Sequence, residues 1–131
     1  MKIKLFLGAI IFFMAFFLMS FNNVKTEKNY NSCLERYRTS WGKAIDKCTY
    51  SKDIFKADYK NVCNESVDAL ISLQRTDKKW ECFYFENIKP EDTIATYVCK
   101  GTGKTLKWVK KAGNTEVSFP TKEEINQMYK E

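Results

Sequence analysis

Leu5 to Met19 carry nothing more polar than Gly8, and two lysines, Lys2 and Lys4, precede them. A charged start followed by an apolar run of this length is the pattern of a secretory signal or an N-terminal membrane anchor. Phe, Leu, Ile and Met occupy every face of the run, which excludes a half-buried core helix in a small domain. Ser20 is the best small residue before a cut. The pattern therefore predicts a signal peptide or anchor over residues 1–20, a polar linker over 21–29, and a single disulfide-stabilised domain over 30–131.

Further along, the hydrophobic period is first 3.6 and then 2. Leu34, Tyr37, Trp41, Ala44, Ile45 and Cys48 recur at helical spacing behind a capping-box pattern, Ser32-Cys33-Leu34-Glu35. A second stripe, Phe55, Tyr59, Val62, Ser66, Leu70 and Leu73, predicts another helix from about Ser51 or Asp53 to Leu73. After Arg75-Thr76-Asp77 the pattern alternates. Lys79–Glu86, Ile94–Lys100, Thr105–Lys111 and Thr115–Phe119 read as four strands separated by Pro- and Gly-containing turns.

Pairing Cys82 with Cys99, Cys99 with Leu106, and Trp108 with Phe119 gives one register. It gathers Trp80, Cys82, Tyr84, Ala95, Tyr97, Cys99, Leu106, Trp108, Val117 and Phe119 on one face, with two-residue turns at Thr102-Gly103 and Gly113-Asn114. Thr121-Lys122-Glu123-Glu124 then caps a short final helix that buries Ile125, Met128 and Tyr129. The fold expected is α+β: two N-terminal helices, a four-stranded antiparallel β-meander, and a short C-terminal helix.

Composition sharpens the functional reading mainly by exclusion. Six of the ten Phe fall in the first 21 residues, so the overall apolar share of 44% overstates the core of the body. The chain has no histidine, which removes Ser-His and Cys-His nucleophiles and imidazole zinc sites. Cys33, Cys48, Cys63, Cys82 and Cys99 are scattered without a Cys-x-x-Cys pair, so a disulfide framework is expected rather than a metal site. Five cysteines allow two bridges and leave one thiol.

The segment Lys100-Gly101-Thr102-Gly103-Lys104-Thr105 invites a phosphate-loop reading, but Val98 stands where the first glycine of that motif belongs. Glu81 and Glu86 fall on opposite sheet faces, so they do not form a hydrolytic pair. Asn64-Glu65-Ser66 is a glycosylation sequon. The formal charge of +6 falls to +4 without Lys2 and Lys4, a modest surplus in a chain directed away from nucleic acid.

The second face of the expected sheet shows Phe83, Phe85 and Val98 beside Lys100, Lys107 and Lys111. An apolar centre rimmed by lysines suits an anionic or amphipathic partner. The expectation is a small exported binding or inhibitor-type protein, secreted or periplasmic, without catalysis, cofactor or nucleic-acid partner. Its partner would be an anionic or amphipathic protein or an envelope component, with membrane contact only through residues 5–21 if the leader is retained. The alternatives are a membrane-tethered accessory subunit of an envelope complex and a small carboxylate-dependent hydrolase.

Overall fold

Strand β3 (Val67–Arg75) is buried on both faces from Val67 to Gln74, and its neighbours are arranged to cover it. The computed structural model describes residues 28–42, 47–48 and 53–130. The expected leader and most of the linker lie outside these residues. Among the described residues, a 3₁₀ turn (Tyr30–Cys33) leads into β1 (Leu34–Trp41). Strands β2 (Phe55–Asn61), β3, β4 (Trp80–Ile88), β5 (Thr93–Val98) and β6 (Gly101–Lys111) follow, and helix α1 (Lys122–Met128) comes last.

The strands form two antiparallel sheets, ordered β1-β2-β5 and β4-β3-β6. Phe55, Ala57 and Tyr59 of β2 meet Val67, Ala69, Ile71 and Leu73 of β3 between the sheets, with Leu34, Ile88 and Val98 completing the core. The other face of β3 is covered by the chain after β6: Leu70 packs with Trp80 and Ile125, flanked by Cys82, Leu106, Trp108 and Phe119. The result is three layers, sheet on sheet on C-terminal segment.

Two disulfides, Cys33–Cys63 and Cys48–Cys99, staple segments that flank the strands, and Cys82 is free. Cys33–Cys63 fastens the entry of β1 to the β2–β3 turn. There the Asn61 amide donates to the carbonyls of Glu65 (2.8 Å) and Ile88 (2.9 Å) while its Oδ1 accepts from Cys63 N–H (3.0 Å). The pair of bridges suggests an oxidising, extracytoplasmic environment.

This architecture overturns the α+β expectation. The two N-terminal helices are instead the 3₁₀ turn with β1, and the strand pair β2 and β3. In β3 both faces are buried: Val67, Ala69, Ile71 and Leu73 line one, and Leu70 sits on the other among Asp68, Ser72 and Gln74, so that Leu70 and Leu73 also fit a helical stripe. The expected cap also differs: Asn29, not Ser32, accepts from Asn31 N–H at the start of the 3₁₀ turn.

The meander is replaced as well. Cys82 and Leu106 both flank Ser72 of β3, and β5 pairs with β2 in the other sheet. Burial accords with this arrangement: β3 is buried on both faces, Val67, Ala69, Ile71 and Leu73 on one and Asp68, Leu70, Ser72 and Gln74 on the other, and it lies at the centre between β4 and β6. Thr102-Gly103 lies inside β6, and the turn falls at Cys99-Lys100, with Lys100 at φ 53°. Gly103 is required where it stands, at φ 90° with the Trp41 ring 3.0 Å from where a Cβ would sit. Thr115–Phe119 forms no strand; it crosses the outer face of the second sheet.

Candidate binding surface

The outer layer begins after β6, where the chain turns at Ala112-Gly113 and doubles back. Its turn is held by Asp68, a nearly buried carboxylate on β3 that accepts from Gly113 N–H (3.1 Å) and from Asn87 N–H at the far end of β4 (2.8 Å). Phe119 then lies between the two edge strands. Its ring meets Tyr84 of β4 edge-on at 5.7 Å, and the Lys110 ammonium of β6 sits 4.8 Å above it.

Helix α1 starts at Thr121, whose hydroxyl accepts from Glu124 N–H. Seven residues are too few for a helix to persist unaided, so docking holds it. Ile125 is fully buried, and the Asn126 Oδ1 accepts from Trp80 N–H at 2.8 Å. The Tyr129 carbonyl accepts from the Trp80 indole at 2.8 Å, and its ring lies against both Trp80 and Trp108.

An open groove of about 580 Å³ runs between the end of α1 and β6, lined by Trp80, Thr105, Leu106, Met128 and Tyr129, with Lys104 and Lys130 beside them. Seven large hydrophobic side chains are exposed among the described residues, and four of them, Tyr84, Val117, Met128 and Tyr129, belong to this outer face. Charge gathers in the same stretch: residues 100–130 hold seven lysines against three glutamates. Lys104 and Lys130 take part in no ion pair among the described residues, and exposed apolar tips beside such lysines are what an anionic, partly apolar partner would engage.

The residues singled out from sequence are distributed differently. Phe83 and Phe85 of β4 pack against the core between the sheets, and Val98 is buried in it. Lys107 also faces inward, with its ammonium on the Leu34 carbonyl at 2.5 Å. Lys100 and Lys111 stay exposed at the two ends of β6. These six do not converge on one surface. Trp80, Cys82, Leu106 and Trp108 do share a face, the one beneath the outer layer, and Phe119 packs onto it from that layer.

Among the carboxylates, Asp77 and Glu81 are brought together by Arg75, which ion-pairs with both, and Glu81 also pairs with Lys122. The free thiol of Cys82 accepts from the Ser72 hydroxyl at 3.1 Å, and burial pushes its pKa up. That keeps the thiol protonated and slow to react. Groups of three or more metal-ligating side chains do not occur among the described residues. Compared with protein-family models, with curated proteins and with solved structures, the chain matches none.

Proposed function

We propose that this chain is a small exported binding protein that docks an acidic protein partner, through the groove between α1 and β6. The observation that carries the reading is the coincidence of Met128, Tyr129 and Leu106 with Lys104 and Lys130 in one open groove. The lysines would steer the partner in, and the apolar tips would hold it. The protein would act outside the cytoplasm, secreted or periplasmic, or tethered by residues 5–21 if the leader is retained. N-terminal sequencing of the exported protein separates these two forms.

The binding test uses a photo-crosslinker at Gln127, the exposed chain neighbour of Met128, in the native envelope or secretion fluid. The expected product is a crosslink to one acidic partner that fades with added salt. It should drop about tenfold in Lys104→Glu combined with Lys130→Glu, since reversing rim charges acts chiefly on association. Met128→Asp should speed dissociation with the fold intact. A crosslink indifferent to salt and to both variants would refute the assignment of this groove.

A further inference from the structure

On the opposite side of β6 the two sheets meet along a seam that backbone pairing does not close. Strands β1 and β6 belong to different sheets. Side chains span the gap: Val109 N–H donates to the Asn31 Oδ1 (2.9 Å), Lys107 to the Leu34 carbonyl, and Arg36 to the Thr105 hydroxyl (3.1 Å).

The aim of Arg36 is set by a β-bulge. Arg36 pairs with Tyr59 and Arg38 with Asp58, so Tyr37 is the extra residue. Two residues apart on a regular strand, the arginines would share a face. The bulge instead turns Arg36 toward the seam and Arg38 outward onto the Asp58 carboxylate, 2.6 Å away. Bulges re-aim side chains in this way.

Two positions along the same face of β6 from Thr105, which Arg36 reaches, stands a second cation, Lys107. Neither Arg36 nor Lys107 takes part in an ion pair among the described residues. Lys107 is half-buried, and burial first, then the neighbouring Arg36, hold its pKa below the usual lysine value. Only Glu35 opposes this, and from beyond ion-pair distance. The buried Tyr59 phenol lies close to Thr105 and Arg36. Two positive charges and two hydroxyls, delivered by three strands, thus converge without an anion to balance them.

We propose that Arg36, Lys107 and Thr105, with the Tyr59 hydroxyl behind them, form a seat for a phosphate group. The planar guanidinium supplies paired donors, the ammonium a point charge and the hydroxyl a third direction, which matches a doubly charged tetrahedral oxyanion. Thr105 also lines the groove of Lys104 and Lys130, but Arg36 and Lys107 do not, and Lys107 leaves β6 on the opposite face from Lys104, so the charges of the seat are separate from those of the groove.

The test is titration of the intact protein with inorganic phosphate, followed by amide resonances and run against sodium chloride at equal ionic strength. The expected result is saturable shifts at Arg36, Thr105 and Lys107 with phosphate and not with chloride. Arg36→Gln and Lys107→Met should each weaken binding at least tenfold, and Lys130→Met should leave it within twofold. The wild-type titration decides the matter even if a seam variant folds poorly. Non-saturating shifts spread over all surface lysines, or equal shifts with chloride, would overturn the proposal. Vesicles containing phosphatidic acid, compared with phosphatidylcholine alone, identify the source. Association lost in Arg36→Gln points to a lipid headgroup; phosphate binding without vesicle association points to a soluble phosphate.

Discussion

Ile125→Ala is the sharpest probe of the outer layer, because Ile125 is the buried side chain of α1. Ile125 is fully buried against Leu70 and Trp80. Truncation removes three carbon groups at about 0.8 kcal/mol each, roughly 2.4 kcal/mol before any cavity penalty. The sheets beneath have their own core and two disulfides, so the loss falls on docking of the C-terminal segment and not on the whole fold. Cys82 reports the detachment: its free thiol lies on the covered face, bonded to Ser72. If a bulky disulfide reagent reaches it chiefly when the segment lifts, 2.4 kcal/mol corresponds to about a 50-fold faster reaction under native conditions. Met128→Ala on the same helix is the control; Met128 is 59% exposed, and the rate should stay within about twofold. Equal rates in wild type and Ile125→Ala would show that the helix does not guard this face.

Under denaturing, non-reducing conditions one thiol should titrate, that of Cys82. Replacing Cys48 and Cys99 by Ala opens a loop of 51-residue separation and should cost about 4.1 kcal/mol in urea melts by the chain-entropy relation; unchanged melts would mean that the bridge does not form. Arg38→Ala leaves the Asp58 carboxylate, 3% exposed and with its Oδ1 already unpartnered, without its cation. Urea melts should show a clear loss of stability, smaller than that from breaking a fully buried pair because Arg38 stands half in water, and an unchanged midpoint would refute the pair's role. Lys107 has a folded-state pKa below its unfolded value of 10.5. The folded chain therefore releases that proton first, and stability gains as pH rises through the lowered value toward 10.5. The stability difference between Lys107→Met and wild type should shift in favour of wild type over that window; a pH-independent difference would refute it.

The C-terminal half was more legible than the N-terminal half, for a physical reason. β4, β5, β6 and α1 carry local signals: alternation with turn residues between the runs, and a Thr cap followed by acidic residues. β3 carries a misleading one. Val67, Leu70 and Leu73 recur every third residue because Leu70 is the one apolar residue on a buried face otherwise made of Asp68, Ser72 and Gln74. Reading it as a helix removed the one strand on which β4 and β6 could both pair. The meander was then the only sheet that the remaining runs could build. Pairing between distant strands depends on which strand has two faces to cover, and alternation within one strand does not carry that information.

The same distinction governs the surfaces. Alternation along β6 correctly separates Leu106 and Trp108 from Lys107 and Val109. What parity cannot say is what each face meets. The even face, expected to be core, is core only in part, since the layer over it leaves the groove of Lys104 and Lys130 open. The odd face, expected to be an exposed partner-binding surface, meets β1, so Lys107 is drawn into a half-buried seam. Arg36 had no signal at all, because its direction depends on the extra residue at Tyr37, a bulge visible only once β1 and β2 are paired. A lysine on a solvated sheet needs no counter-ion. Beside a guanidinium in a half-dry seam the same lysine does, and this change of surroundings, made by tertiary packing alone, turns an ordinary surface cation into a seat for an anion.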